Sequence, residues 1–280
     1  MGDVDRIVSL LRCPDCRAPR LVASGPRFEC EACGASYQRE PVPILLPRGA
    51  AVDGARCAMR AAVAPRDVPW IGDSFIDSLP AGATCLSVGE GWGDIALRAA
   101  LRRPDVQIAA VDLSDSRMAH AREVQRRLGV GNVWFAVADV MSLPFVDDAF
   151  DAGYARGVLH IVPDPTAAVA ELTRVLRQRL LVDQLANRPF FALWFWLLQR
   201  YEVGRAWAQG RPPDRAIWQS TADTIARSGR SYRSLRGYRR WFSSARQTRV
   251  CANSVFIWET PRHQPILGWA GCAGAIDVWL

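Results

Sequence analysis

Between Ala83 and Leu185 the apolar positions of this chain alternate between two kinds of segment. Short continuous apolar runs, Thr84–Val88, Val106–Val111, Val133–Ala138, Phe150–Val158 and Leu180–Gln184, read as strands buried on both faces. Between them, Ile95–Leu101, Asp115–Leu128 and Thr166–Arg177 carry apolar residues at helical spacing. Strand and helix in alternation predict an α/β fold, a parallel sheet with helices on both faces. A short amphipathic helix, Trp70–Leu79, leads into it.

Outside that region the pattern changes. Residues 1–47 read as a small module and 48–69, rich in Ala, Arg and Pro, as a linker. The main domain is expected over 70–260, with a lid or substrate region at about 187–230, and 261–280 as a tail of little pattern. An aromatic segment, Phe190–Tyr201, lies in the lid region and is too short to span a membrane. Arg227, Arg230, Arg233, Arg236, Arg239 and Arg240 interleave with Tyr232, Tyr238, Trp241 and Phe242, and Ser254–Trp258 reads as one more strand.

The first module carries its own chemistry. Cys13-Pro14-Asp15-Cys16 and Cys30-Glu31-Ala32-Cys33 are two C-x2-C knuckles around a short alternating stretch, the spacing of a four-thiolate tetrahedral zinc site. Cys13, Cys16, Cys30 and Cys33 are therefore the expected Zn2+ ligands. Four thiolates leave no open position for catalysis, so the metal is read as structural.

Composition narrows the chemistry further. The chain has 280 residues, 35 basic and 28 acidic, for a net charge of +7. Every basic side chain is arginine, which excludes a Schiff-base lysine and a Walker-type phosphate lysine. The positive charge permits RNA or an anionic membrane surface as partner without requiring either. The other four cysteines, Cys57, Cys85, Cys251 and Cys272, are scattered, and Met1–Asp5 lacks the layout of an export signal. Both favour a reducing cytoplasm.

The first predicted strand ends in Gly89-Glu90-Gly91-Trp92-Gly93-Asp94. A strand that stops at G-x-G and feeds a helix lets backbone approach a ligand closely. A dinucleotide site wants a third glycine where this chain has Asp94. Asp112, about 20 residues on, ends the second strand and can accept from both hydroxyls of a ribose. Asp139 ends the third strand and can accept from an adenine amine, with Val140 beside the ring.

These residues, with Val111–Ser114, Ala138–Phe145, Asp147–Asp151 and Val158–Pro165, resemble the class I S-adenosylmethionine-dependent methyltransferases, especially those acting on small molecules and lipids. The resemblance covers roughly residues 70–184 and implies a Rossmann-like, seven-stranded, mostly parallel sheet. It also implies S-adenosyl-L-methionine as cofactor, held by Gly89, Glu90, Gly91, Gly93, Asp112, Leu113, Asp139, Val140 and Tyr154. Ser87 stands where the family has an acid, and Glu90 is expected to supply that carboxylate toward the methionine amino group. The family's Pro-Gly-Gly turn before the fifth strand is absent, Leu176–Leu180 running straight on. The four-cysteine module resembles the zinc-ribbon activators of tRNA and protein methyltransferases, here fused in cis. Certain ribosomal-RNA guanine methyltransferases share that order.

Methyl transfer from a sulfonium rests mainly on in-line placement. Where the acceptor must lose a proton, His160, following the fourth strand at the ligand-binding edge of the sheet, is the expected base. Arg156 and Tyr154 lie on the same stretch, while His120 and His263 are expected to be structural. The chain has no Asn-Pro-Pro-aromatic motif after the fourth strand and no Pro-Cys pair, which argues against DNA amino and cytosine-C5 methylation. The favoured function is methyl transfer to a small-molecule or lipid-like acceptor. RNA methylation and a catalytically degenerate adaptor are the alternatives, and peripheral membrane contact is compatible with the first.

Overall fold

The computed structural model describes residues 3–50, 71–159, 162–186, 208, 235–253 and 273–280. Helix α1 (Asp3–Val8) precedes a three-stranded antiparallel meander, β1 (Val22–Ser24), β2 (Arg27–Glu29) and β3 (Ser36–Gln38). After α2 (Ile71–Asp77) come β4 (Thr84–Val88), α3 (Asp94–Arg102), β5 (Gln107–Asp112), α4 (Asp115–Leu128) and β6 (Val133–Val137). They are followed by β7 (Phe150–Arg156), α5 (Pro165–Val175), β8 (Leu176–Ala186), α6 (Leu235–Arg239), β9 (Gln247–Asn253) and β10 (Ala273–Trp279).

Seven strands form one sheet in the order β6-β5-β4-β7-β8-β10-β9. β4 to β8 run parallel to one another, while β10 is antiparallel to both β8 and β9. The order reverses direction at β4, so β4 and β7 flank the crevice where open α/β sheets bind ligands at the carboxyl ends of their strands.

The continuous apolar runs are explained by burial on both faces. Leu86, Val88, Ala109, Val111, Trp134 and Ala136 face one core, and Cys85, Ile108, Ala110, Val133, Phe135 and Val137 face the other. Helices α2, α3 and α4 cover the second core. The first is covered by α5 together with the cysteine module, whose Ile7, Leu11, Leu21, Phe28, Tyr37 and Leu45 join the same cluster. The module thus takes the place of a helix layer against the sheet.

Local signals set the helix ends. Asp164 caps α5, its side chain accepting from Thr166 N at 2.9 Å and Ala167 N at 3.1 Å, with Pro165 in the first turn. Gly129, in the left-handed region at φ 65°, closes α4. Between α5 and β8 there is no loop at all, Val175 ending one element and Leu176 beginning the next.

Two expectations at the C-terminal end are corrected. Residues 273–279, expected to lie in a patternless tail, form β10 inside the sheet, with Ala275, Ile276 and Val278 buried. Residues 247–253, where the sequence predicts no strand, form the edge strand β9, where an exposed Arg249 is at home. The aromatic segment at 190–201, Arg227, Arg230 and Arg233, and the strand expected at 254–258 lie outside the described residues.

Candidate cofactor and metal sites

The glycine turn sits at the carboxyl end of β4, and each glycine has a different reason to be there. Gly89 (φ 79°) is pressed against Arg156 O and Val158, where a Cβ would collide. Gly93 (φ 77°) lets α3 approach α4 and β6, a Cβ there meeting Ala121 Cβ at 2.5 Å and Phe135 at 3.0 Å. Gly91 (φ 55°) faces open space, with nothing within 4 Å of a Cβ. That open backbone is the surface a ligand would use.

Asp112, half-buried at the end of β5, turns its carboxylate toward this loop. It accepts from Gly91 N at 2.9 Å and Ser114 N at 3.0 Å, leaving acceptor positions on both oxygens. Asp139, just beyond β6, accepts from Met141 N at 2.8 Å, and its carbonyl accepts from Ser142 N at 2.9 Å. Leu113 is exposed beside the loop and Val140 is packed in the core. Trp92 meets the His120 ring edge-on at 5.2 Å, with the Arg117 guanidinium 6.0 Å above it.

Glu90 and Tyr154, both expected among the cofactor-binding residues, are buried beneath the turn. Tyr154 is 1% exposed and donates to Glu90 Oε1 at 3.0 Å. Ser87 Oγ donates to the same oxygen, and Ala96 N donates to Glu90 Oε2 at 3.1 Å. Both glycines beside Glu90 have positive φ, and that backbone turns the side chain under the loop instead of out of it. Glu90 thereby places a carboxylate against Ser87, where the family carries an acid. Burial pushes its pKa up to about 7 against the opposing pull of the Ala96 N–H and the Tyr154 hydroxyl. His160 lies outside the described residues.

The second site is the cysteine cluster. The sulfurs of Cys13, Cys16, Cys30 and Cys33 all lie within 4.8 Å of one another. Cys13 to Cys33 is 3.7 Å and Cys16 to Cys30 is 3.6 Å. Metal–sulfur bonds of about 2.3 Å in a tetrahedron give sulfur–sulfur edges of about 3.8 Å, so the donors fit one tetrahedral cation. The knuckles are copies of each other. Cys13 N donates to Ala18 O at 2.9 Å and Arg17 N to Cys13 O at 3.0 Å, while Cys30 N donates to Ala35 O and Gly34 N to Cys30 O, both at 2.8 Å. Arg17 (φ 62°) and Gly34 (φ 69°) take the same left-handed position.

The charge balance of the cluster agrees. Burial raises the Cys13 thiol, but the Cys16 N–H and the Tyr37 hydroxyl, 3.1 Å from the sulfur, bring it down to about 7. The Ala35 N–H lowers Cys33, yet the crowding thiols of Cys16, Cys30 and Cys13 push it up to about 12. Held together as four thiolates, the sulfurs would need a cation between them.

Sequence reasoning missed a third cluster. Arg12, 7% exposed, donates to Glu171 Oε2 of α5 at 3.2 Å, and Arg174 Nη2 donates to the same oxygen at 2.8 Å. Leu143 N donates to it as well, at 2.8 Å. Arg12 and Glu171 stand 159 residues apart, so no local pattern announces the pair.

Comparison with known proteins agrees with this geometry. Residues 85–179 match the family model described as a methyltransferase domain. The ubiquinone/menaquinone biosynthesis C-methyltransferase of Paracoccus denitrificans is 31% identical over 150 residues, covering 51% of this chain and 59% of that protein. The 2-phytyl-1,4-naphtoquinone methyltransferase of a Nostoc species is 37% identical over 98 residues, covering 34% of this chain and 43% of that protein. The chain thus spans less than two thirds of the length of these relatives. A structure described as a sarcosine dimethylglycine methyltransferase from Galdieria sulphuraria shares the fold at a TM-score of 0.50 and 15% identity, over 75% of this chain and 83% of that one. With the strand order, these matches assign residues 85–179 to the methyltransferase domain family and show the fold of the class I S-adenosylmethionine-dependent methyltransferases.

Proposed function

We propose that this protein is a cytoplasmic S-adenosylmethionine-dependent methyltransferase acting on a small-molecule or lipid-like acceptor, with a structural Zn2+ in its N-terminal ribbon. The observation that carries the cofactor reading is the open Gly91 backbone beside Asp112. Asp112 would accept from the ribose hydroxyls and Asp139 from the adenine amine, while Gly91 allows close approach of the methionine portion. The cofactor supplies the activated methyl group when bound. His160 is the group we assign to receive a proton from the acceptor.

The acceptor class is supported by the relatives, one named for quinone biosynthesis and one for a naphthoquinone, and by the aromatic segment Phe190–Tyr201. The ribbon packs Leu10–Arg12 and Pro43–Leu45 against the main domain, which favours a structural part for it over a free RNA grip. Among the described residues no helix is long and apolar enough to cross a membrane. The test offers labelled S-adenosylmethionine and the purified protein to fractionated cell extract. Label in organic-soluble material is expected; label confined to RNA overturns the acceptor class, and no transfer to any fraction overturns the enzymatic reading.

A further inference from the structure

The ribbon touches the main domain at two places, and Asp139 lies between them. Before it, Pro43–Leu45 add to the free edge of β6, with Val137 N donating to Pro43 O at 2.8 Å and Leu45 N to Val137 O at 2.9 Å. After it, Leu10–Arg12 run antiparallel to residues 144–146, with Arg12 N donating to Pro144 O at 3.0 Å and Val146 N to Leu10 O at 2.9 Å. The turn that begins at Asp139 is thus pinned two residues upstream and five residues downstream by the same small module.

The two attachments belong to different knuckles. Leu10–Arg12 lead directly into Cys13. Pro43–Leu45 follow β3 and are tied to it by Ile44 N donating to Gln38 O at 3.0 Å, and β3 follows Cys33. A cation held by all four sulfurs would therefore join the two struts. The downstream strut reaches further through its side chain. The buried Arg12 guanidinium meets Glu171, which accepts from Leu143 N, the residue that follows the Asp139 turn. Arg174 completes the frame, donating to Phe145 O at 2.8 Å and Leu143 O at 3.1 Å.

We propose that the metal ribbon braces the adenine side of the cofactor pocket, with Arg12 as the positioning residue that couples occupancy of the metal site to cofactor affinity. The inference rests on the proposed reading of Asp112 and Asp139 as the cofactor site. Coupling between two sites is reciprocal, so metal should tighten the cofactor and cofactor should hold the metal. A ribbon that merely contributed stability would show no such exchange once the protein is folded.

The experiment uses the full chain and S-adenosylhomocysteine as the probe. Titration calorimetry is done on the zinc-loaded protein, on the metal-free protein, and on zinc-loaded Arg12→Met and Arg12→Lys, with zinc content measured for each. In parallel, zinc affinity is measured by equilibrium competition with a chromophoric chelator, with and without saturating S-adenosylhomocysteine. Affinity is expected to fall about tenfold on metal removal and at least about fivefold in Arg12→Met, a coupling of ordinary size. Arg12→Lys is expected to recover part of that loss, and S-adenosylhomocysteine is expected to tighten zinc binding by the same factor by which zinc tightens it. Arg12→Met keeps all four thiolates and decides the matter if the metal-free chain unfolds. Unchanged affinity in Arg12→Met with zinc retained, or zinc affinity indifferent to S-adenosylhomocysteine, overturns the brace alone. No binding to the zinc-loaded wild type overturns the cofactor reading and the brace with it.

Discussion

The cysteine cluster and the glycine turn both gather acidic groups at a tight backbone curve, and they relieve the charge differently. In the ribbon, four sulfurs within 4.8 Å of one another call for a cation. In the turn, Glu90 is almost fully buried with Ser87, Tyr154 and Ala96 N as partners, and it is relieved by donated hydrogen bonds and by a proton. The difference follows from the size of the region. The ribbon's strands are three residues long, so a metal held there would supply folding energy that so small a module cannot raise by burial alone. The turn rests on a sheet buried on both faces and tolerates one expensive carboxyl group.

Breaking the ribbon's side of that comparison should have the largest effect. Chelation of the metal, or Cys30→Ser, is expected to remove one equivalent of zinc and abolish hydrogen-exchange protection over residues 11–46. Structural zinc binding contributes on the order of 10 kcal/mol. Protection that survives metal loss would show that packing against the sheet suffices.

The turn's side is tested by pH. The folded protein holds the Glu90 proton to about pH 7, against an ordinary glutamate value of 4.5. The stabilisation associated with the protonated form is fully present below about pH 4.5 and is lost as pH rises through 7, up to on the order of 3 kcal/mol. Glu90→Gln keeps the shape without the titration. Its urea midpoint should gain on that of the wild type between pH 5 and pH 8; parallel profiles would refute the assignment.

The smallest effect sharpens the likeness of the two knuckles. Arg17 occupies the left-handed position that Gly34 fills in the other copy. Arg17→Gly should therefore raise thermal stability by about 1 kcal/mol, since a side chain at positive φ is strained there. A loss instead would mean that the Arg17 side chain carries an interaction larger than its backbone cost.

How much was legible in the sequence differs element by element. α4 is found at Asp115–Leu128 and β4 at Thr84–Val88, where the periodicity predicts them, because runs buried on one or both faces write their burial into consecutive residues. β10 could not be read that way. Its Ala-Gly-Ala start is weakly apolar, and it is a strand because β8 and β9 offer hydrogen bonds on both sides. Tyr154 and Glu90 fall on the expected elements, but the direction of each side chain depends on the other and on two positive-φ glycines.

The sequence by itself determined the alternating α/β core, the glycine turn with its carboxylates at Asp112 and Asp139, and the four-cysteine cluster. Each is a local device whose residue types are dictated by backbone curvature, burial or ligand spacing within a few positions. Only the tertiary structure decided that the ribbon seals one face of the sheet, that Glu90 turns inward, and that Arg12 meets Glu171 beneath the Asp139 turn. Those outcomes depend on charges and edges brought together from distant parts of the chain, where the partner that satisfies a buried group leaves no mark beside it in the sequence.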